Sequence, residues 1–190
     1  MPPKAALTKD QIENAAFELV REQGFDSLTA RGVANRLRCS TQPIYSLYSN
    51  IDELKSRVYD KVISFALRCM GEYQDGRNSP ALNGAIGFLQ FAKNEKHLFR
   101  TLYQSGFKKY DPRTDYFIVE ELSLASMRHS KRLSGIPLEQ LRTIFLKLNI
   151  YMIGIGTLLS SNTLKLDIGQ ASDMIREMYE MLLGKEGLTY

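Results

Sequence analysis

Apolar residues recur at helical spacing along most of the chain, and no segment alternates apolar and polar residues as a half-buried strand does. The first apolar stripe follows Thr8 and Gln11, which form a capping box, and it ends at Gly24. Thr29 is the N-cap candidate of a second, short helix. The pattern predicts an all-α protein with about nine helices.

Two short helices around a tight turn are predicted between Thr29 and about Ser49. The turn follows Leu37, and Ser40 is the cap candidate of the third helix. This order is typical of a helix-turn-helix. The residues predicted to face inward are Val33, Ala34, Leu37, Ile44, Leu47 and Tyr48.

The third helix must be short, because Asn50 and Glu53 form another capping box and begin a fourth helix almost at once. Its outward side chains are rich in hydrogen-bonding groups that suit base edges and phosphates. Pro43 is expected at the third helical position, where no helical hydrogen bond is lost. The outward residues are Thr41, Gln42, Pro43, Tyr45 and Ser46.

The fourth helix is predicted from Ile51 towards Tyr73 and is long enough to join an N-terminal head to a helical body. We therefore expect a helix-turn-helix domain at 1–50 and a regulatory and dimerisation domain at 51–190. The fifth helix is predicted to start at Ser79-Pro80, the sixth at Asn94 and the eighth at Pro137. The seventh is predicted to follow the Asp111-Pro112 break and to end near Gly135, and the ninth to start at the Asp167/Gln170 box and to end at Gly184.

Charge and composition add weaker evidence. The net charge is +4 and the pI is about 9.0, and no Asp or Glu stands between Leu28 and Ile51, a surface that a phosphate backbone would tolerate. Cys39 and Cys69 do not form a disulfide framework. The N-terminus lacks a signal-peptide core, and the longest apolar run, Ile150 to Leu159, is too short to cross a membrane, so we expect a cytoplasmic protein.

The segment from Thr29 to Leu54 resembles the signature of the TetR family of transcriptional regulators. The matching anchors are Ile44-Tyr45, Tyr48 and Glu53-Leu54. Two positions depart from the family pattern: Arg38 stands where many members have Gly in the turn, and Tyr48 stands where Phe is usual. The left-handed position of the turn must therefore be taken by a residue with a Cβ, which costs about 1 kcal/mol, or be shifted by one residue, and Arg38 could bring an extra cation near phosphate.

The resemblance implies a homodimer, paired through helices eight and nine, that binds a roughly palindromic DNA operator. It also implies a repressor that a small, mostly hydrophobic molecule releases from DNA. The DNA-binding candidates are Thr29, Arg31, Arg38, Ser40, Thr41, Gln42, Pro43, Tyr45, Ser46 and Lys55. The ligand-binding candidates, each more often a core residue than a ligand contact, are Phe65, Cys69, Phe88, Phe99, Leu102, Tyr103, Phe107, Tyr116, Phe117 and Tyr151.

Other classes of protein have less support. The chain has no Gly-rich phosphate loop, nucleophile elbow or carboxylate constellation, so we do not expect an enzyme or a cofactor. His97 and His129 have no metal-ligand spacing, and Ile153 stands where some relatives carry a histidine. The alternatives are a ligand-independent DNA-binding regulator and a helical protein that binds small molecules or lipids.

Overall fold

The computed structural model describes residues 7–128, 130, 132–133, 135–163 and 165–187. Within these residues the protein has nine α-helices, one short 3-10 helix and no strand, which confirms the predicted fold class. The α-helices are α1 (Lys9–Gln23), α2 (Ala30–Leu37), α3 (Gln42–Leu47), α4 (Ile51–Glu72), α5 (Pro80–Asn94), α6 (Lys96–Tyr103), α7 (Glu120–Arg128), α8 (Leu138–Ser160) and α9 (Ile168–Lys185).

Side-chain caps begin the helices whose starts were predicted from cap residues. Thr8 and Gln11 form a reciprocal capping box at α1, and Asp167 and Gln170 form another at α9. The Thr29 hydroxyl accepts the N–H of the third residue of α2. These three predicted starts are confirmed because each depends on side chains within one turn of the helix end.

Three predicted boundaries are wrong. The carbonyl of Thr41 accepts the first helical N–H groups of α3, so Ser40 lies outside the helix and does not cap it. At α6 the N-cap position is Glu95 rather than Asn94, because the Glu95 carbonyl accepts the first N–H. The seventh helix ends at Arg128, well before Gly135, because turns with hydrogen bonds between residues three apart follow it.

The helices form two compact units. The first unit runs through Phe65 and includes Glu95–Phe107; the second contains Ala66–Asn94 and the chain from Lys108 onward. In the first unit α1 packs against α2 and α6. The first unit therefore contains α6, which was predicted to belong to the body. The boundary between a DNA-binding and a regulatory domain at residue 50 stays a prediction.

Aromatic rings fill the interior of the first unit. The ring centroids of Phe25 and Phe107 lie 5.1 Å apart, and those of Tyr59 and Phe107 lie 5.5 Å apart. The Tyr59 hydroxyl donates to the carbonyl of Leu102 at 3.0 Å. These contacts join the residues around α6 to α4 and to the 3-10 turn after α1.

In the second unit α8 packs against α5, α7 and α9. The α4–α5 crossing is close: a Cβ at Gly87 would lie 2.4 Å from the carbonyl oxygen of Met70. Helix α8 has 23 residues, and its most apolar 18-residue window has a mean hydropathy of 1.5. Length and composition alone would therefore allow it to cross a membrane, but a core helix packed on three neighbours meets the same criterion.

Candidate nucleic-acid interface

Helix α2 and the turn after it are held by local contacts. Val33 is 0% exposed and Ala34 is 2% exposed, which fixes the inner face of α2. Arg38 adopts the left-handed conformation, with φ 52° and ψ 45°, and its N–H donates to the Asn35 carbonyl at 3.1 Å. The Cys39 N–H returns to Ala34 at 3.0 Å. The turn thus uses a left-handed residue with a Cβ, as the sequence indicated.

Two buried side chains anchor α3. Ile44 is 0% exposed, and Tyr48, directly after the helix, is 2% exposed. The Tyr48 hydroxyl donates to the Glu13 carboxylate on α1 at 3.0 Å, and the Lys9 ammonium lies 5.2 Å from its ring centroid. Burial, together with Glu13, raises the pKa of Tyr48. Glu13 was not among the residues predicted to matter here. The signal was the hydroxyl of Tyr48, which the usual Phe lacks and which needs a hydrogen-bond partner when it is buried.

The corner between α3 and α4 is capped from both sides. The Asn50 side chain accepts the N–H of Glu53 at 2.9 Å, and the Glu53 carboxylate accepts the N–H of Ser49 at 2.7 Å. The return bond of the predicted capping box thus comes from Ser49 rather than from Asn50. The Ser49 donor also lowers the pKa of Glu53. This corner limits α3 to six residues, Gln42–Leu47.

The outer side of α3 is polar and open. Gln42 and Ser46 are exposed, and Tyr45 is 55% exposed. Pro43 occupies the second helical position rather than the third, and the Ser46 hydroxyl donates to its carbonyl at 2.8 Å. The face can therefore present an amide, a phenol and a hydroxyl to a major groove.

The cations around this face differ in their partners. Arg36 makes a two-pronged contact with the Glu22 carboxylate, at 2.7 and 2.8 Å, which lowers the pKa of Glu22. The Arg31 and Arg38 side chains are exposed and have no hydrogen bond or ion pair within the described part of the chain. Lys55 lies 3.5 Å from Asp52. The two open arginines are thus the side chains best placed to meet phosphate.

The predicted ligand-binding residues are divided equally between the two units. Phe99, Leu102 and Phe88 are buried, whereas Tyr116 is 51% exposed. Their role as a ligand site stays a prediction. The members in the first unit are Phe65, Phe99, Leu102, Tyr103 and Phe107, and those in the second are Cys69, Phe88, Tyr116, Phe117 and Tyr151.

Metal-ligating side chains do not cluster in the described residues: no group of three or more His, Cys, Asp or Glu could hold an ion there. His129 lies outside the described residues. Cys39 and Cys69 form no disulfide within the described residues, and each is partly buried.

The arrangement of the whole chain is similar to that of a TetR-like transcriptional regulator from Rhodococcus sp. RHA1. The TM-score is 0.59, over 98% of this chain and 99% of that chain, at 16% sequence identity. No family model matches the sequence, and no curated protein matches it. The protein therefore has the fold of TetR-like transcriptional regulators.

Proposed function

We propose that the protein is a homodimeric transcriptional regulator that binds DNA through α2 and α3. The observation that carries this proposal is α3, a short helix that is fixed at both ends and has an exposed polar face. The segment from Leu28 to Ile51, which includes α3, has no acidic residue. A short recognition helix of this kind fits the major groove, and the TetR-like fold supports the same use of the head.

Two kinds of DNA contact follow from the positions of the side chains. Gln42 and Tyr45 face outward from α3 and are proposed to contact base edges, with Thr41, Pro43 and Ser46 beside them. Arg31, Arg38 and Lys55 are proposed to contact phosphates, with Thr29 and Ser40 nearby. The Thr29 hydroxyl oxygen accepts an N–H at the start of α2, and its hydroxyl hydrogen can be donated to a phosphate oxygen.

Gln42→Ala should reduce sequence selectivity, because it removes a side chain that reads base edges. Lys55→Ala should weaken binding to all sequences about equally. Fluorescence anisotropy would compare a duplex from the DNA flanking the protein's own gene with a scrambled duplex of equal length. Lys93→Ala, an exposed lysine at the end of α5, is the matched control. Equal losses on both duplexes for both variants would refute this division of roles.

Dimerisation is proposed to use exposed apolar residues of α8 and α9. Ile150 is 63% exposed and Leu158 is 38% exposed, and both share one face of α8 with Gly154, where a Cβ would meet no atom within 4 Å. On α9, Met181 is 61% exposed. A second copy of the chain that covered these side chains would remove them from water.

Ile150→Glu should convert the dimer to a monomer, since it places a charge in the centre of the proposed contact. Sedimentation velocity measures the change, and Ala81→Glu, at an exposed position of α5, serves as control because it adds the same charge outside α8 and α9. If the wild-type chain sediments as a monomer, the proposed dimer is wrong.

Regulation is proposed to follow the repressor pattern, in which a small molecule releases the protein from DNA. The molecule must bind the helical body with different affinities in two conformations. The aromatic side chains Phe88, Phe117 and Tyr151 of the second unit support the proposal that the helical body binds a small molecule. A protein that binds its duplex selectively but whose affinity no small molecule changes would be a ligand-independent regulator.

A further inference from the structure

The connection between α6 and α7 contains a turn that folds on itself. The Asp111 carbonyl accepts the N–H groups of Thr114 at 3.1 Å and of Asp115 at 2.8 Å. The Asp115 carboxylate in turn accepts the N–H of Asp111 at 2.9 Å. We call residues 111–119 the strap. Its outer residues, from Pro112 to Tyr116, are exposed, and the hydrogen bonds of this turn lie within the strap.

A single side chain of α8 fastens the strap. The Arg142 guanidinium donates to the carbonyl oxygens of Pro112, at 3.2 Å, and of Asp115, at 2.9 Å. It also lies 5.0 Å from the ring centroid of Tyr116. Arg142 therefore makes two hydrogen bonds from α8 to the strap backbone.

Glu120 holds Arg142 in place. One oxygen of its carboxylate accepts the Arg142 Nε–H at 2.7 Å, and the other accepts the N–H of Phe117 at 2.7 Å. The Glu120 side chain is only 5% exposed. A carboxylate so buried depends on its counterion, so a change in either partner should release the other.

Val119 opposes the closed position. Its φ is 64°, a left-handed conformation that a β-branched residue rarely adopts. Such strain persists only where surrounding contacts enforce it. Here those contacts include the Ser123 N–H, which donates to the Val119 carbonyl at 2.9 Å, and the neighbouring Glu120 with its bond to Arg142. The folded strap is thus held in part by this ion pair and resisted by the strained backbone of Val119.

The strap covers apolar side chains of the second unit. Ile118 is 6% exposed, and Phe117 packs against a buried cluster that includes Leu141, Ile144 and Phe145. If the strap lifted, these side chains would meet water or an apolar molecule.

We propose that the strap is a lid over this cluster, which opens locally while α7 and α8 stay folded, and that the Glu120–Arg142 pair is its latch. The lid deepens the ligand-responsive part of the proposed function, because it gives a small apolar molecule a way into the second unit. Its test needs no DNA and so stands or fails separately from DNA binding.

Limited trypsin digestion of the full chain tests the lid. Arg113, 88% exposed, provides a cleavage site within the strap, and a folded turn is cut only when it leaves its folded conformation. Glu120→Gln should raise the rate of cleavage after Arg113 about tenfold or more, with little dependence on urea. Mass spectrometry of the fragments identifies the site.

The matched control is Glu180→Gln, which changes a carboxylate bonded to Arg132 in the same unit, at 2.9 and 2.8 Å, and should leave the rate within about twofold. Val119→Asn relieves the left-handed strain, since Asn tolerates this conformation. It should slow cleavage, both alone and in the Glu120→Gln background. Fluorescence of 1-anilinonaphthalene-8-sulfonate should rise for Glu120→Gln and not for Glu180→Gln.

Three results would overturn the lid: equal cleavage of the two glutamine variants, cleavage after Arg113 with the full urea dependence of global unfolding, or faster cleavage of Val119→Asn. If Glu120→Gln does not fold, Val119→Asn in the otherwise unchanged chain still decides the question, because slower cleavage that depends little on urea supports the lid, whereas unchanged cleavage, or slowing only of the urea-dependent cleavage, refutes it.

Discussion

Two segments of the described chain, the α2–α3 turn and the strap, place a non-glycine residue other than asparagine in the left-handed conformation, and they do so by different means. In the α2–α3 turn it is Arg38, with φ 52°, between hydrogen bonds that return to Asn35 and Ala34. In the strap it is Val119, with φ 64°, next to Glu120, whose partner Arg142 lies 22 residues further along the chain. The turn is fixed by its neighbours alone, whereas the strap also depends on a distant residue.

The difference shows how the two segments can be used. For a side chain that is not branched at Cβ, such as Arg38, the left-handed conformation costs little free energy beyond the steric contact of the Cβ. The hydrogen bonds that close the turn come from residues within it. Val119 adds a second branch at Cβ, so its strain is larger and needs a restraint that can be withdrawn. A rigid turn suits a DNA-reading head, whereas a restrained strap suits a lid.

The largest expected effect comes from removing that restraint. Arg142→Met keeps the bulk of the side chain but leaves the Glu120 carboxylate buried without its counterion. The midpoint of thermal unfolding should fall by about 8 °C, measured by circular dichroism at neutral pH.

Arg132→Met is the control for this prediction. Its partner Glu180 is 40% exposed and can be solvated once the pair is broken, so the midpoint should fall by about 2 °C or less. Equal losses in the two variants would mean that the Glu120–Arg142 pair has no special role in the second unit.

The next effect in size has the opposite sign. Val119→Asn should raise the midpoint of thermal unfolding by about 4 °C, because Asn accepts positive φ with less strain. Asn162, already left-handed at φ 53°, offers the converse control, since Asn162→Val should lower the midpoint. A fall for Val119→Asn would show that the valine side chain contributes packing that exceeds its strain.

The sequence predicted the first of these segments and not the second, for a physical reason. The turn is marked by signals within a few residues, namely the Thr29 cap and the end of the apolar stripe at Leu37. Nothing near Val119 indicates a left-handed residue, since valine favours strands and its restraint comes from α8. The same limit applies to α6, which joins the first unit partly through Arg21 and Glu95, 74 residues apart. Local caps can be predicted from sequence, whereas contacts between distant residues cannot.

The smallest expected effect on stability belongs to Arg38, and it separates folding from function. In Arg38→Gly the relief of the left-handed Cβ contact is nearly offset by the greater freedom of glycine in the unfolded chain, so the midpoint should change by only about 1 °C. The Arg38 side chain is exposed and has no hydrogen-bond or ion-pair partner among the described residues, so the variant also loses a cation that is free to meet phosphate. The slope of log Kd against log salt concentration on a random-sequence duplex should therefore fall by about one. Arg38→Lys keeps the charge and should keep the slope; if Arg38→Gly keeps it as well, Arg38 is a structural residue of the turn and contacts no DNA.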